Sequence, residues 1–437
     1  MLKTFKGGLH VPDHKDETSN KPVAVCDGAP VHIFPLQQHI GAMLELKVQA
    51  GDCVKVGTVL ADSDAYMSVP LHSSVSGVVT AIKPHPHTSG AEVTSVFVEN
   101  DFKYELEDGI CPKNVDKMSP EEIIKVIRDA GIVGMGGAGF PTHVKLSPPK
   151  EKKVTHLIMN AAECEPYLTS DHRRMIDSTA QVVLGLKICM KIFSLKEAYI
   201  GIEANKPDAV AAIRQLNDSK IRVVELKTKY PQGSEKHLIK AITGRSVPSG
   251  GLPVDVGAIV INVDTAYEIA EAFTDGLPVH KRIVTVAGDS IKEPGNFVVR
   301  TGTPFEFVIE KAGGFVGEPK KLINGGPMMG IAQYTTAVPT VKTTSAILAL
   351  SETATVYDDY SPCIRCGQCV KKCPMHLMPL YLSKYAEAGN LEMCEKYHIL
   401  DCIECGLCSF LCPGRQSPLQ HIRVAKQKII ENRRKKK

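Results

Sequence analysis

With 437 residues, 43% of them hydrophobic and 23% charged, the chain has the make-up of a folded protein of several domains rather than a disordered or fibrous one. No stretch supplies the roughly 20 apolar residues of a membrane span: Thr343 to Leu350 is too short, and Val182 to Phe193 is interrupted by Lys187 and Lys191. A net charge of +4, no tryptophan and 5% aromatic residues leave little for stacking bases, so nucleic acid is not an expected partner.

Met1 to Gly8 has two lysines but no apolar core of a secretory signal, so a reducing, cytoplasmic setting is expected. Glycine-punctuated β segments follow between about Val31 and Pro84. The strings Gly51-Asp-Cys-Val-Lys-Val-Gly57 and Val75-Ser-Gly-Val-Val79 resemble the lipoyl and biotinyl carrier family, a small sandwich of interleaved hairpins. Carriers present a modifiable lysine at a hairpin tip. The tip here, Asp62 to Met67, has none, so residues 1–115 read as a structural barrel-sandwich hybrid domain without a covalent cofactor.

Ser119-Pro120-Glu121-Glu122 is a capping box with proline at the first helical position, and Ile123, Ile127 and Ala130 mark an apolar helix face that Gly131 ends. Gly134 to Gly139 then satisfies G-x-G-x-x-G. It follows a helix, with only Ile132 and Val133 between, and not the strand of a βαβ unit, so the string by itself says little. From Thr155 the pattern alternates: strands at His156 to Met159, Ala198 to Ile202, Ile221 to Leu226 and Ala258 to Val263, and helices at Met175 to Phe193, Pro207 to Leu216, Ser234 to Ile242 and Asp264 to Phe273. That is a parallel sheet wrapped by helices, a Rossmann-like domain over residues 116–278. Ligands bind beyond the carboxyl ends of such strands, where Asn160 to Glu165, Lys227 to Glu235 and Asn262 to Thr265 gather, which predicts one cofactor pocket. Residues 279–345 fit a β-grasp domain with a helix at Phe305 to Ala312, and Ser351 to Tyr360 reads as a link.

The strongest motif comes last. Cys363, Cys366, Cys369 and Cys373-Pro374 are repeated as Cys402, Cys405, Cys408 and Cys412-Pro413, each a C-x2-C-x2-C-x3-C-P run of the kind that holds paired iron–sulfur clusters. Three thiolates on one loop grip three corners of a cubane, and the fourth ligates the other cluster. Cys363, Cys366, Cys369 and Cys412 are therefore expected to hold one 4Fe-4S cluster, and Cys402, Cys405, Cys408 and Cys373 the second. Zinc ribbons, with two spaced C-x2-C pairs, fit poorly. Residues 355–425 thus read as a ferredoxin-like double 4Fe-4S domain, an internal duplication whose intervening segment, Leu380 to Leu400, looks helical. Residues 426–437 read as a solvated basic tail, and the other six cysteines as ordinary thiols.

Gly134 to Lys145, Asn160-Ala-Ala-Glu-Cys-Glu-Pro166, Tyr230-Pro-Gln-Gly-Ser-Glu235 and Asn262-Val-Asp-Thr265 resemble the flavoprotein of respiratory complex I. The order of hybrid, flavin, β-grasp and double-cluster domains is most similar to the RnfC family, the peripheral members of Rnf complexes, which are ion-pumping ferredoxin:NAD oxidoreductases. The resemblance covers nearly the whole chain. It implies a noncovalent flavin mononucleotide approached by Gly134, Gly136, Gly137 and Gly139, helped by Lys145, Asn160, Asn262 and Thr265. Glu163 and Glu235 fall near the flavin, Tyr230 and Gly233 lie on the second wall, and Phe140 and Glu165 face NADH. In complex I a further aromatic follows the lysine, whereas Leu146-Ser-Pro-Pro follows here. The implied partners are NAD(H), the other subunits of a membrane-bound Rnf-type complex and, through them, ferredoxin, with the chain peripheral on the cytoplasmic side. Hydride transfer moves two electrons and a cluster takes one, so flavin belongs between them, and no acid–base catalytic residue is required. Two rivals stay open: a cobalamin reductase with the same cofactors, in which the hybrid domain is expected at the other end of the chain, and a silent wiring scaffold.

Overall fold

The structure is a computed structural model that describes residues 2–355 and 361–435. Val356 to Tyr360 of the expected link, and Lys436 and Lys437 of the expected tail, lie outside the described residues. The architecture is multidomain α/β, and no helix among the described residues is long and apolar enough to cross a membrane.

The barrel-sandwich unit packs an antiparallel sheet in the order Val31–Pro35, Glu92–Asn100, Gly77–Pro86, Cys53–Val54 against a three-stranded sheet of Glu45–Leu46, Val59–Asp62 and Leu71–His72. Phe34, Leu60, Val75, Val96 and Val98 fill the space between them. Its hairpin tip is fastened to the next unit. Arg128, in the last turn of the helix Pro120–Asp129, donates to the Asp62 carboxylate and the Ser63 carbonyl, each at 2.9 Å, and the His143 ring lies 2.9 Å from the Tyr66 carbonyl. That helix starts as its sequence dictates: Ser119 and Glu122 form both bonds of the capping box, and Ile123 and Ile127, one turn apart, are fully buried.

The Rossmann-like unit has four parallel strands in the order Ile221–Leu226, Ala198–Glu203, His156–Ala161, Ala258–Asn262. Its near-continuous apolar strands are those of a sheet covered on both faces. The expected helix from Met175 is two helices, Ser170–Asp177 and Thr179–Ile192, broken at Ser178 (φ −138°, ψ 36°). In the second, Gly185 lets the helix Val263–Thr274 press close, since a Cβ there would lie 1.7 Å from the Ala266 carbonyl oxygen.

The third unit is a six-stranded sheet in the order Ala24–Cys26, Gly295–Arg300, Lys281–Ala287, Ala346–Leu350, Lys321–Asn324, Ile331–Gln333. It draws Ala24–Cys26 and Ala346–Leu350 from outside residues 279–345. Ala346–Leu350 is buried at every position, and such a run shows no alternation to mark it as a strand.

The cluster module repeats itself in backbone as well as in sequence. Arg365 and Glu404, Gly367 and Gly406, and His376 and Arg415 are matched pairs at positive φ, and Pro379 and Pro418 each open a helix. The segment expected as one helix is Pro379–Glu387 and Leu391–Lys396, separated at Gly389 (φ +66°). The expected frayed tail is instead the end of the helix Pro418–Lys435, which buries Ile422 and Ile429 and pairs Arg433 with Glu395 at 2.7 Å.

Three histidines, His32 and His72 of the first unit and His280 at the start of the third, are buried and held down to about 3 chiefly by that burial. Because the folded state keeps them neutral, their contribution is intact above the unfolded value near 6.5 and is lost as pH falls from there toward 3. Acidification from pH 7 to 4.5 is expected to cost roughly 2–3 kcal/mol per histidine. Denaturant unfolding of His72→Gln against wild type checks this: the acid loss should shrink by that amount in the variant, and equal losses would remove His72 from the account.

Candidate functional site

An open cleft of ≈ 260 Å³ lies at the carboxyl ends of His156–Ala161 and Ala258–Asn262, where a parallel sheet places its ligands. It is lined by Gly134, Gly136, Gly137 and Phe140 of the glycine loop, by Lys145 and Asn160, by Gly233 and Glu235, and by Asn262 and Thr265. Ala138, Thr142, Val260 and Ile261 line it too. The sequence does not single these four out, although Thr142 stands in the glycine string and Val260 and Ile261 in a strand that ends at the pocket.

Each lining group is held by its element. The loop is closed at its base by an antiparallel bridge between Val133 and Pro141, and the Met135 N–H donates to Thr265 Oγ1 at 3.0 Å. Asn262 caps the helix Val263–Thr274 by accepting from the N–H groups of Asp264 and Thr265, and its amide donates to Asp171 at 2.6 Å. Asn160 donates to the Gly233 carbonyl at 2.7 Å, and Lys145 bridges Glu235 at 2.9 Å and the Val260 carbonyl at 3.0 Å. Asp171, unremarked in the sequence, sits beneath this floor. Burial, and then the charges of Glu163 and Asp264, push its carboxyl up to about 8.

Gly139, Glu163, Glu165 and Tyr230 are placed outside the lining. Gly139 (φ +70°) turns the loop away, with its carbonyl accepting from the Ile40 N–H at 3.2 Å. Glu163 accepts from the Asp171 N–H at 2.7 Å, and Lys15 lies 3.7 Å from its carboxylate. Glu165 is half-buried, and desolvation pushes its carboxyl up to about 7. One of its oxygens is 3.3 Å from the Tyr230 hydroxyl and the other accepts from the Met328 N–H at 3.1 Å. Both oxygens thus face groups of the protein, outside the cleft lining.

Two smaller cavities lie in the cluster module. Cys363, Cys366, Cys369 and Cys412 surround one, and Cys373, Cys402, Cys405 and Cys408 the other, with Cys408 also reaching the first. All eight thiols are free. The crossing of Cys373 and Cys412 follows from the loop shape: the αL residues Gly367 and Gly406 curl each triad around its own cavity, while the fourth cysteine lies beyond the short helix that follows. The second cavity has an apolar wall of Leu377, Leu382, Leu407 and Ile422, and burial pushes the Cys405 and Cys408 thiols up to about 12. A cationic partner such as cluster iron would stabilise thiolates there. Among the described residues no three His, Cys, Asp or Glu side chains converge on a single-ion site. The thiols ring cavities instead, which suits cubanes.

Cys164 and Tyr230 connect the second cavity to the cleft. The Gly233 N–H points to Cys164 Sγ at 3.2 Å, Cys164, Tyr230, Cys405 and Met328 pack together, and the Tyr230 hydroxyl donates to the Cys405 carbonyl at 2.8 Å. His237, on the helix that begins at the cleft residue Glu235, lies 3.0 Å from the Pro374 carbonyl. The N-terminal segment straps this junction, with the Gly8 N–H donating to the Lys372 carbonyl and Leu9 exchanging bonds with Tyr230.

Comparison with known proteins accounts for each unit. Residues 3–103 match the RnfC barrel sandwich hybrid domain, 127–271 the Nuo51 FMN-binding domain, 283–332 the SLBB domain and 355–413 the 4Fe-4S dicluster domain. The C-subunit of the Na(+)-translocating ferredoxin:NAD(+) oxidoreductase complex of Acetobacterium woodii is 47% identical over 99% of this chain and 98% of its own length. The proton-translocating counterpart of Clostridium ljungdahlii is 48% identical over 99% of this chain and 95% of its own. The chain belongs to the RnfC family of ion-translocating ferredoxin:NAD oxidoreductase complexes. A further member, from Rhodobacter capsulatus, is 40% identical over 99% of this chain and 84% of its own length. An NAD+-reducing NiFe hydrogenase in the H2-reduced state aligns at TM-score 0.49 and 18% identity over 72% of this chain and 64% of its own. As an RnfC protein, the chain is part of an oxidoreductase and carries an FMN-binding domain and a 4Fe-4S dicluster domain.

Proposed function

We propose that this chain is the peripheral electron-exchange subunit of a membrane-bound ferredoxin:NAD oxidoreductase, working between NAD(H) and single-electron carriers on the cytoplasmic side. The observation that carries it is the contact between cleft and cluster cavity through Cys164 and Tyr230, with the Tyr230 hydroxyl 2.8 Å from the carbonyl of Cys405. Flavin mononucleotide, when bound, exchanges a hydride with NAD(H) and single electrons with 4Fe-4S clusters. Gly137 admits it without a Cβ in the way, with no protein atom within 4 Å of that position, and Gly136 leaves room for the Asn262 side chain. Lys145 supplies a cation for a phosphate, Asn160, Asn262 and Thr265 supply polar edges, and Phe140 offers the nicotinamide an aromatic wall. Cys373, Cys402, Cys405 and Cys408 hold the cluster nearer the cleft. Cys363, Cys366, Cys369 and Cys412 hold the outer one, from which electrons pass to or from the neighbouring subunits and ultimately ferredoxin. Glu165 and Tyr230 brace the wall between cleft and inner cluster.

The full chain, loaded with flavin mononucleotide and iron–sulfur clusters, should oxidise NADH and reduce an artificial one-electron acceptor. A chain with full flavin and iron content that leaves NADH untouched would favour the scaffold reading. Its hybrid unit at residues 3–103 matches the Rnf arrangement and not the order expected of a cobalamin reductase.

A further inference from the structure

Lys342 lies outside the cleft, between the strands Ile331–Gln333 and Ala346–Leu350 of the third unit, and is 2% exposed. Its ammonium donates at 2.7 Å to the carbonyl of Gly131, at the base of the glycine loop, and at 2.7 Å to that of Pro70 in the barrel-sandwich unit. Its backbone N–H donates to Gln38 Oε1 at 3.0 Å, and its carbonyl accepts from Arg282 at 2.5 Å. One residue thus joins three folded units. Gly131 (φ +71°) is shaped to this contact, since a Cβ there would lie 2.6 Å from Lys342 Nζ and 2.6 Å from the Pro70 oxygen.

The far end of the loop is gripped by the same neighbours. A Cβ on Gly139 would lie 3.0 Å from Thr343 Cγ2, 3.1 Å from the Gln38 carbonyl oxygen and 3.3 Å from His39 Cα, and the Ile40 N–H holds the Gly139 carbonyl. Between these two grips, Gly136, Gly137 and Ala138 form the exposed lip of the cleft. Burying an ammonium is costly, and an apolar side chain of the same length would fill the space without that cost. What the lysine alone does is fix two carbonyls from two different units at once.

We propose that Lys342 is a positioning residue for the glycine loop: by holding Gly131 while Gln38, Ile40 and Thr343 hold Gly139, it sets the geometry of the cleft lip and hence the affinity for flavin mononucleotide. The barrel-sandwich unit then serves as a brace for the cofactor loop. The second half of the inference rests on the flavin reading of the cleft.

Two measurements on Lys342→Met in the full chain test it. In the flavin-free protein, amide hydrogen exchange across residues 131–142 should quicken about tenfold, the consequence of losing both Nζ bonds to backbone carbonyls. Flavin titration by fluorescence should give a dissociation constant about tenfold higher, with iron content unchanged. Should that variant fail to fold, Gln38→Ala, which removes one bond of the junction, carries the same test at about threefold. Unchanged exchange in the loop would overturn the positioning role. Faster exchange with an unchanged flavin constant would overturn the link to affinity. Faster exchange in a chain whose wild type binds no flavin would support the positioning role and overturn the reading of the cleft.

Discussion

Cys373→Ala is expected to abolish the cluster nearer the cleft and leave the outer one in place. Cys373 belongs by sequence to the first motif, yet it shares a cavity with Cys402, Cys405 and Cys408, while Cys412 completes the ring of Cys363, Cys366 and Cys369. Iron content should fall from about eight to about four atoms per chain, and the paramagnetic signal that survives should be the one that Cys366→Ala removes. The module should stay folded, because Leu382 and Ile422, which wall the inner cavity, continue into a buried core with Ile399 and Ile429. Since Cys405 of the inner cavity is bonded to Tyr230, the same variant should still let NADH reduce the flavin while acceptor reduction beyond the clusters collapses. If Cys373→Ala and Cys366→Ala remove the same signal, the ligands are not crossed.

What can be read from the chain alone follows from where physics acts locally. The cysteine spacing specifies both cavities because a cubane imposes its geometry on a dozen consecutive residues. The capping box at Ser119 and the alternating strands and helices are legible for the same reason. Long-range partnerships are not. Glu165 stands in a polar string that reads as a ligand contact, and only the turn that brings Met328 over it reveals that one of its oxygens accepts from the protein's own backbone. Lys342 carries no motif, and its role depends on Pro70, Gln38, Gly131 and Arg282 meeting from distant stretches. The charges of the tail suggest a frayed end, although Ile422, Ile429 and the Arg433–Glu395 pair make it a packed helix. Asp171 is invisible in the sequence because its partner Asn262 is far along the chain.

Gly137→Val and Gly136→Val should both lose flavin, for different reasons that separate the cofactor site from the fold. At Gly137 no protein atom lies within 4 Å of an added Cβ, so valine there leaves the chain folded and occupies cleft space. Its unfolding midpoint should match wild type, while flavin affinity drops by roughly 10- to 100-fold, the cost of forcing a side chain into space a ligand fills. At Gly136 the added Cβ would lie 2.7 Å from the Asn262 amide nitrogen and 2.9 Å from its Cγ. Asn262 would have to move, uncapping the helix Val263–Thr274 at about 1 kcal/mol and stripping the half-buried Asp171 of its amide donor at about 1–3 kcal/mol. Gly136→Val should therefore be destabilised by about 2–4 kcal/mol even without flavin. Denaturant unfolding of both cofactor-free variants, followed by flavin titration, reads the two effects separately. A Gly137→Val chain that binds flavin as wild type does would move the cofactor out of this cleft. A Gly136→Val chain as stable as wild type would show that Asn262 does not depend on the missing Cβ.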